Sequence, residues 1–450
     1  MKPAIQAAPA FDYRDGQLCA EGVPLEEIAR SYGTPCFVYS RAAIEDAYRM
    51  FAAALAGRPA LVAYSVKANS NLAVLALMSR LGAGFDIVSG GELARVLAAG
   101  GDPRKIVFSG VGKSEAEIAQ ALQAGILCLN LESAAELERV DAAAQKLGKR
   151  APVAFRVNPD VDARTHPYIS TGLKQNKFGI AHTQAEALYR RAADCRGIRV
   201  TGIGCHIGSQ LVSAGPYTAA AERLLVLVER LDKAGIGLEH IDLGGGMGIR
   251  YRDETPAPIA AFLDGALGML AGREETLLVD PGRSLVGNAG VLLTRVEYVK
   301  PGEAKNFLVV DAAMNDLLRP SLYEAWHEVL AVRRGGGPQA LYDVVGPVCE
   351  SGDFLARERS LAAAAGDLLA ICSAGAYGMS MSSNYNSRPR AAEVLVDGSA
   401  AHLVREREKL SDLFALERVL PQIFRRPSTA SGPAPFQAAG RNDPFAAGSQ

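Results

Sequence analysis

The chemistry of this chain centres on one amine and the polar residues that could face it. Lys67 lies in the run Ala60–Asn71, ALVAYSVKANSN, where Leu61, Val62, Ala63 and Val66 are apolar and the following Asn and Ser residues suit a helix cap. The spacing predicts a strand that ends on Lys67 and a helix that starts just beyond it. A lysine held there against apolar walls loses hydration, which lowers its pKa and exposes a neutral, nucleophilic amine. Such an amine forms a Schiff base with a carbonyl. Further along, Gly244-Gly245-Gly246 follows the strand-like run His240–Leu243, and three residues without Cβ atoms let backbone N–H groups close on a phosphate. The stretch is not a GxGxxG dinucleotide fingerprint, because Ile249 stands in the third glycine's place. A phosphate nest facing an amine nucleophile fits a phosphorylated aldehyde, pyridoxal 5′-phosphate. For that cofactor, His206 can lie flat on the pyridine, and Asp280 in Asp280-Pro281-Gly282-Arg283 can keep the ring nitrogen protonated so that the ring accepts electrons.

These residues share a position in the pattern of elements. Strand-like runs at Ala60–Ser65, Phe85–Ser89, Lys105–Ser109, Ile126–Leu131, Pro152–Val157, Val200–His206, His240–Leu243 and Thr276–Val279 alternate with Ala/Leu/Glu-rich helical segments. Such alternation predicts parallel strands with right-handed crossovers, and its length favours a (β/α)₈ barrel over an open sheet. In a barrel, functional groups sit at the C-terminal ends of strands. Those ends carry Lys67, Asp86 with Ser89, Ser109, Asn158, His206 with Ser209, Gly244 to Gly246, and Asp280 to Arg283. Before the barrel, Phe11–Val23 reads as a hairpin turning at Asp15-Gly16, followed by a helix at Leu25–Tyr32, a strand at Pro35–Tyr39 and a helix near Arg41–Ala54. After Val286 the runs Val291–Lys300, Lys305–Asp311, Leu341–Val345, Asp367–Cys372 and Glu393–Val396 read as strands. The α/β architecture expected is therefore a TIM-type barrel over 41–287 and a C-terminal mainly-β domain over 288–424, completed by the N-terminal segment 10–40. Residues 425–450, rich in Pro, Ala, Ser and Gly, are expected to be a disordered tail.

Composition narrows the partners. The chain has 450 residues, 49% apolar and 22% charged, with a net charge of -1, which is the profile of an ordinary soluble protein. A balanced charge argues against nucleic acid or a membrane surface as partner. No run approaches the ~20 apolar residues of a membrane span, and the N-terminus lacks a signal-peptide core. The seven cysteines form no CxxC pair, which points to reduced thiols in the cytoplasm and to no metal site.

The blocks YSVKANSN, DIVSGGEL, RVNPDVDARTHPYISTGLKQNKFGI, CHIGSQ, DLGGGMGIRY, DPGRS, MNDLLRPSLYEAWH, GPVCESGDFL and GDLLAICSAGAYGMSMSSNYNSRPR carry a resemblance that covers about Phe11 to Phe424. With them the chain resembles the diaminopimelate decarboxylases, fold-type III pyridoxal-phosphate enzymes of the alanine racemase and ornithine decarboxylase superfamily. The resemblance implies decarboxylation of meso-2,6-diaminopimelate to L-lysine, the last step of lysine biosynthesis. It implies that Lys67 carries the cofactor, that His206 stacks on it, and that Ser209, Gly244, Gly245 and Gly246 hold its phosphate. Asp280, Pro281, Gly282 and Arg283 complete the cofactor site, and Tyr377 reaches both cofactor and substrate. Arg283, Arg319 and Tyr323 are implied to bind the distal carboxylate and Glu350 the distal ammonium, with Cys349 as proton donor. Cys349 and Glu350 are implied to come from the partner of a homodimer. One departure is present: the family usually has Glu-Pro-Gly-Arg where this chain has Asp280-Pro281-Gly282-Arg283. Aspartate is one methylene shorter, so contact with the ring nitrogen is longer or requires a backbone shift. Alternatives are a relative acting on another carboxylated diamine or a carrier-bound amino acid, a non-catalytic barrel that binds the cofactor, and, from the open-sheet topology, a dehydrogenase.

Borohydride reduction of the cofactor-loaded protein, followed by digestion, is expected to leave the label on the peptide carrying Lys67. A label on any other lysine overturns the assignment.

Overall fold

A computed structural model describes residues 11–162, 177–335 and 337–420. The expected tail at 425–450 and most of the block between Asp162 and Gly179 lie outside the described residues. Strands β1 (Ala60–Ser65), β2 (Gly84–Ile87), β3 (Ile106–Phe108), β4 (Cys128–Leu131), β5 (Ala151–Asn158), β6 (Ile198–Gly204), β7 (His240–Asp242) and β8 (Thr276–Val279) form a closed 8-strand parallel barrel. The ring closes where Leu277 pairs with Ala60 and where Leu129 pairs with Val153. Strands β1, β2, β3, β4 and β8 are short and mostly buried, as expected when helices cover a parallel sheet. Several expected runs end earlier than the sequence suggests: Ser89, Ser109 and His206 lie in loops just past their strands.

Helix caps explain some of those early stops. Ser89 Oγ accepts the N–H of Glu92 at 3.2 Å and starts the helix Gly90–Ala98. Asn71 Oδ1 accepts from Ala73 N at 2.9 Å and starts the helix Leu72–Arg80. Ser114 and Glu117 form a reciprocal capping box at Glu115–Ala124. Each cap satisfies N–H groups that a helix end leaves unpaired, and so sets how much loop remains at the barrel mouth.

The second sheet is built from both ends of the chain. Gly290–Lys300 pairs antiparallel with Asn306–Val310 on one side and with Cys36–Ser40 on the other. Cys36–Ser40 in turn runs parallel to Ala392–Asp397, so the N-terminal strand lies inside the C-terminal sheet. Its five residues, CFVYS, are all buried, and burying a side chain such as Phe37 or Val38 contributes about 1.5–3 kcal/mol. The Tyr39 hydroxyl donates to Glu393 Oε1 at 2.7 Å across this pairing. Ser40 then caps the helix Arg41–Ala54 through Ala43 N at 3.0 Å, so one continuous segment ties the sheet to the barrel's outer layer. The sequence does not reveal the strand Phe354–Leu361, because FLARERSL carries charges where a buried strand would be apolar. It pairs on one side only, with Ala340–Val345, so it is an edge strand and tolerates them.

The turn after Leu368–Ile371 fixes the two parts together at the barrel mouth. Tyr377 N donates to Ala68 O at 2.8 Å and Asn69 Nδ2 donates to Gly375 O at 3.1 Å. An added Cβ on Gly375 would lie 1.9 Å from Val286 O, so only glycine fits there. Among the described residues no helix is long and apolar enough to cross a membrane.

Candidate active site

Lys67 occupies a single 3₁₀ turn, Val66–Ala68, one step beyond the end of β1. Its Nζ donates to Asp86 Oδ2 at 3.0 Å. Asp86 is brought there by register, since Ser65 of β1 pairs with Asp86 of β2, and the Ser65 hydroxyl also donates to it at 3.1 Å. The surroundings reverse one expectation. Burial alone pulls the Lys67 pKa down, but the negative charges of Asp86 and then Asp280 outweigh it and hold the ammonium above its ordinary range. The resting amine is therefore protonated and ion-paired, not neutral. Asp86 itself, pushed up by burial, is drawn below its usual value by Lys67 and the Ser109 hydroxyl.

On the side of the barrel mouth next to Lys67, the loops after β6, β7 and β8 pack against one another. An added Cβ would lie 2.5 Å from Cys205 O at Gly244, 2.3 Å from Asp280 O at Gly245 and 2.2 Å from Gly208 O at Gly246. The three glycines thus permit a three-loop contact that no side chain could enter. Gly244 N–H goes to Asp242 Oδ1 at 2.8 Å, and Gly245 N–H goes to His206 Nδ1 at 3.3 Å. The second bond makes Nδ1 an acceptor and fixes the imidazole's orientation. Asp242 is held well above the usual carboxylate range by burial and by Asp280. Asp280 is buried, and among the described residues its Oδ1 has no hydrogen-bond partner; His206 Nδ1 is 3.6 Å away. A buried carboxylate oxygen left without a donor suits a protonated ring nitrogen, so these residues fit pyridoxal phosphate. Pro281 O accepts Ser65 N at 3.1 Å, and a Cβ on Gly282 would lie 2.9 Å from Ser65 Cβ, which seats this turn on the one carrying Lys67.

Next to the cradle lies a cationic cluster. Ser209 Oγ accepts from Arg283 Nη2 at 2.9 Å and Nε at 3.3 Å. Arg283 Nη1 donates to the Tyr251 hydroxyl at 2.5 Å, and its guanidinium lies 4.8 Å from the centre of the Tyr377 ring. The Arg319 guanidinium sits 4.5 Å from the centre of the Tyr251 ring and bonds His327 Nε2 at 2.9 Å. Both arginines are buried, at 6% exposure each. Among the described residues no carboxylate forms an ion pair with either. Tyr323 closes the short helix Arg319–Tyr323 that bears Arg319. Tyr377 has a positive φ of 57°, a strained conformation that its backbone bond to Ala68 helps hold. Tyr251 and His327 were not among the expected site residues, and Asp86 was expected at a functional strand end but with no role. The available signal was position: Asp86 ends a strand, and Tyr251 and His327 end the blocks DLGGGMGIRY and MNDLLRPSLYEAWH.

Cys349 and Glu350 are exposed and make their contacts elsewhere. Cys349 N donates to Asn386 Oδ1 at 2.7 Å, and the Tyr385 hydroxyl donates to Glu350 Oε2 at 3.3 Å. Asn386 and Ser387 both have positive φ, near 55° and 53°, so this turn is strained where it holds the Cys-Glu pair. All seven cysteines are free thiols, and among the described residues no His/Cys/Asp/Glu group could hold a metal ion.

A parallel barrel with a lysine turn at its mouth, a three-glycine cradle and an unpartnered carboxylate defines a class: the barrel-type pyridoxal-dependent decarboxylases. The family described as "Pyridoxal-dependent decarboxylase, pyridoxal binding domain" matches residues 41–287. The chain is 61% identical over 412 residues to the diaminopimelate decarboxylase of Pseudomonas aeruginosa, covering 92% of this chain and 99% of that protein. It is 54% identical to that of Vibrio cholerae, covering 92% and 99%. Among solved structures, diaminopimelate decarboxylase from Helicobacter pylori complexed with L-lysine is similar with a TM-score of 0.85 at 42% identity, covering 87% of this chain and 99% of that one. The enzyme from M. jannaschii matches with a TM-score of 0.89 at 37% identity, covering 93% and 100%. This chain belongs to the diaminopimelate decarboxylase family.

The ion pair with Asp86 makes Lys67 reactivity pH-dependent in a defined direction. With the folded pKa raised, the neutral amine fraction grows about tenfold per pH unit through neutral and mildly alkaline pH. In Asp86→Asn the largest attraction is gone, burial gains weight, and the titration moves to lower pH. Competitive acetylation of the cofactor-free protein across this range, quantified on the Lys67 peptide, is expected to show faster labelling of the variant at each pH. Equal labelling rates contradict the ion-pair account.

Proposed function

We propose that this chain decarboxylates meso-2,6-diaminopimelate to L-lysine and carbon dioxide with pyridoxal 5′-phosphate, the last step of lysine biosynthesis. The observation that carries the reading is the pair Arg283 and Arg319, buried around Tyr251 with no carboxylate to pair with among the described residues. An uncompensated buried cation costs several kcal/mol, so the pocket favours a ligand that brings an anion. Diaminopimelate keeps a second carboxylate away from the reacting carbon; ornithine and lysine, bound for decarboxylation, have none there. Relatives with 54–61% identity bear the corresponding name, and a neighbour with a TM-score of 0.85 is described as complexed with L-lysine.

The chain's own groups divide the work. Lys67 would supply the amine that holds the cofactor aldehyde, and Asp86 is the carboxylate that pairs with it while it is an ammonium. His206, oriented by Gly245 N–H, would support the pyridine ring, and Asp280 would keep its nitrogen protonated. The glycine cradle and Ser209 hold the phosphate, and Tyr377 stands between the two arginines' pocket and the Lys67 turn. Bound pyridoxal phosphate supplies the electron sink that accepts the pair released as carbon dioxide leaves. Cys349 delivers the proton to the carbon that lost its carboxylate, and Glu350 takes the distal ammonium. Arg319 and Tyr323 grip the distal carboxylate. Because Cys349 and Glu350 are exposed on their own chain, we infer a homodimer in which each chain lends this pair to its neighbour's barrel. The reduced thiols and the biosynthetic reaction suit the cytoplasm.

Incubation of purified protein with pyridoxal phosphate and meso-diaminopimelate is expected to release lysine and carbon dioxide in equal amounts, with ornithine and lysine left almost untouched. Arg319→Ala is expected to lower kcat/KM by about 10²-fold or more, as when a buried charge loses its partner, while the absorbance of bound cofactor persists. Unchanged turnover removes the distal-carboxylate assignment. Shared sites predict complementation: equal mixing, with subunit exchange, of inactive Lys67→Ala and Cys349→Ala proteins is expected to restore about one quarter of full activity, because half the dimers are mixed and each holds one intact site. No recovery after exchange places both residues in one chain's site.

A further inference from the structure

His327 is fully buried, with both ring nitrogens engaged. Nε2 lies 2.9 Å from Arg319 Nη1 and Nδ1 lies 2.8 Å from Cys372 O. A guanidinium can only donate and a carbonyl can only accept, so the contacts allow one state: a neutral imidazole with its proton on Nδ1 and a lone pair on Nε2 aimed at Arg319. The ring is fixed from further sides. Its edge packs on Tyr251 with centroids 5.3 Å apart, and its backbone carbonyl accepts Arg359 Nη2 at 2.9 Å. Burial, then the positive charge of Arg319, pushes the imidazole's pKa down to about 3, so the same neutral form persists throughout the physiological range.

We propose that His327 is a positioning residue for substrate selection: it holds the Arg319 guanidinium in place through a neutral acceptor, leaving that cation's charge available for the ligand's distal carboxylate. The proposal rests on the diaminopimelate reading above and adds to it the group that sets the strength of carboxylate recognition. A carboxylate at the same point would hold Arg319 equally well but would neutralise it, and an incoming anion would then meet a closed ion pair. An apolar side chain would preserve the charge but leave a buried N–H without an acceptor. A neutral ring nitrogen avoids both outcomes. The second ring contact, to Cys372 O, keeps the lone pair from rotating away, which makes the tautomer part of the device.

The two ring nitrogens can be separated by amide substitutions. His327→Asn retains a donor near the Nδ1 position but offers nothing at Nε2; His327→Gln places an amide oxygen near Nε2. L-Lysine retains the carboxylate that Arg319 is proposed to grip, whereas 1,5-diaminopentane is the same diamine without it. Binding of each to the cofactor-loaded protein, followed by the cofactor's absorbance, gives a lysine-over-diamine preference. In His327→Asn this preference is expected to fall by about tenfold or more, as for loss of a hydrogen bond to a charged group, with diamine binding unaltered. In His327→Gln most of the preference is expected to remain. Equal losses in both variants, or none in either, overturn the proposal. Should His327→Asn not fold, nitrogen NMR of histidine-labelled wild-type protein serves instead: the His327 ring is expected to show the neutral Nδ1–H form and to shift with lysine but not with the diamine. A doubly protonated ring, or no selective shift, overturns it. Failure of the underlying reading looks different, since wild-type protein would then form no lysine from meso-diaminopimelate and would not prefer lysine to the diamine.

Discussion

Two guanidiniums removed from water, with no counter-charge among the described residues, set the terms for the rest of this molecule. Arg283 and Arg319 are tolerated because other groups absorb part of the cost: the Tyr251 phenol and ring, the Ser209 hydroxyl, the Tyr377 ring and the His327 lone pair. All of these are neutral. They satisfy N–H groups and offer π-faces, but none cancels the charge, so among the described residues the pocket remains cationic.

The other half of the barrel mouth has the opposite sign. Asp86, Asp242 and Asp280 stand at the ends of or just past β2, β7 and β8, all buried, around a single ammonium at Lys67. Asp242 is held high by burial and by the charge of Asp280, while Asp86 is drawn low by the lysine. An acid-rich cradle thus lies beside a cation-rich pocket. Rigid elements hold both: the 374–378 turn bonds the Lys67 turn directly, and the glycine contacts leave no slack between the β6, β7 and β8 loops.

Much of this was legible without coordinates. The alternation of apolar runs and amphipathic segments is a local signal, and it placed the eight barrel strands to within a few residues because a parallel strand is apolar on both faces. The cap after Lys67 was legible from its Asn and Ser residues, whereas Ser89, a helix cap in the structure, read as the end of a strand. What the sequence hid were groups that act at a distance. Reading Lys67 beside Val66 and Ala68 suggests an amine depressed by apolar walls; the carboxylate that reverses this lies 19 residues away on the neighbouring strand. The strand Phe354–Leu361 was hidden by Arg357, Glu358 and Arg359, although Arg359 lies over the Trp326 ring at 3.2 Å and anchors His327. His327 itself sat in a quoted block with no role, since one histidine among apolar neighbours says nothing about its tautomer.

The sequence alone determined which kinds of chemistry were possible: an amine at a strand end, glycines that admit close approach, acids and bases at loop positions, and a barrel period to bring them to one rim. Those follow from side-chain identity and from periodicity, which are properties of neighbours along the chain. The charge state of Lys67, the orientation of Arg319 and the neutrality of His327 were decided only by tertiary structure. Each depends on contacts a few ångströms long between residues far apart in sequence, and Coulomb and hydrogen-bond energies are set by those distances and by burial, neither of which is written in the order of the residues.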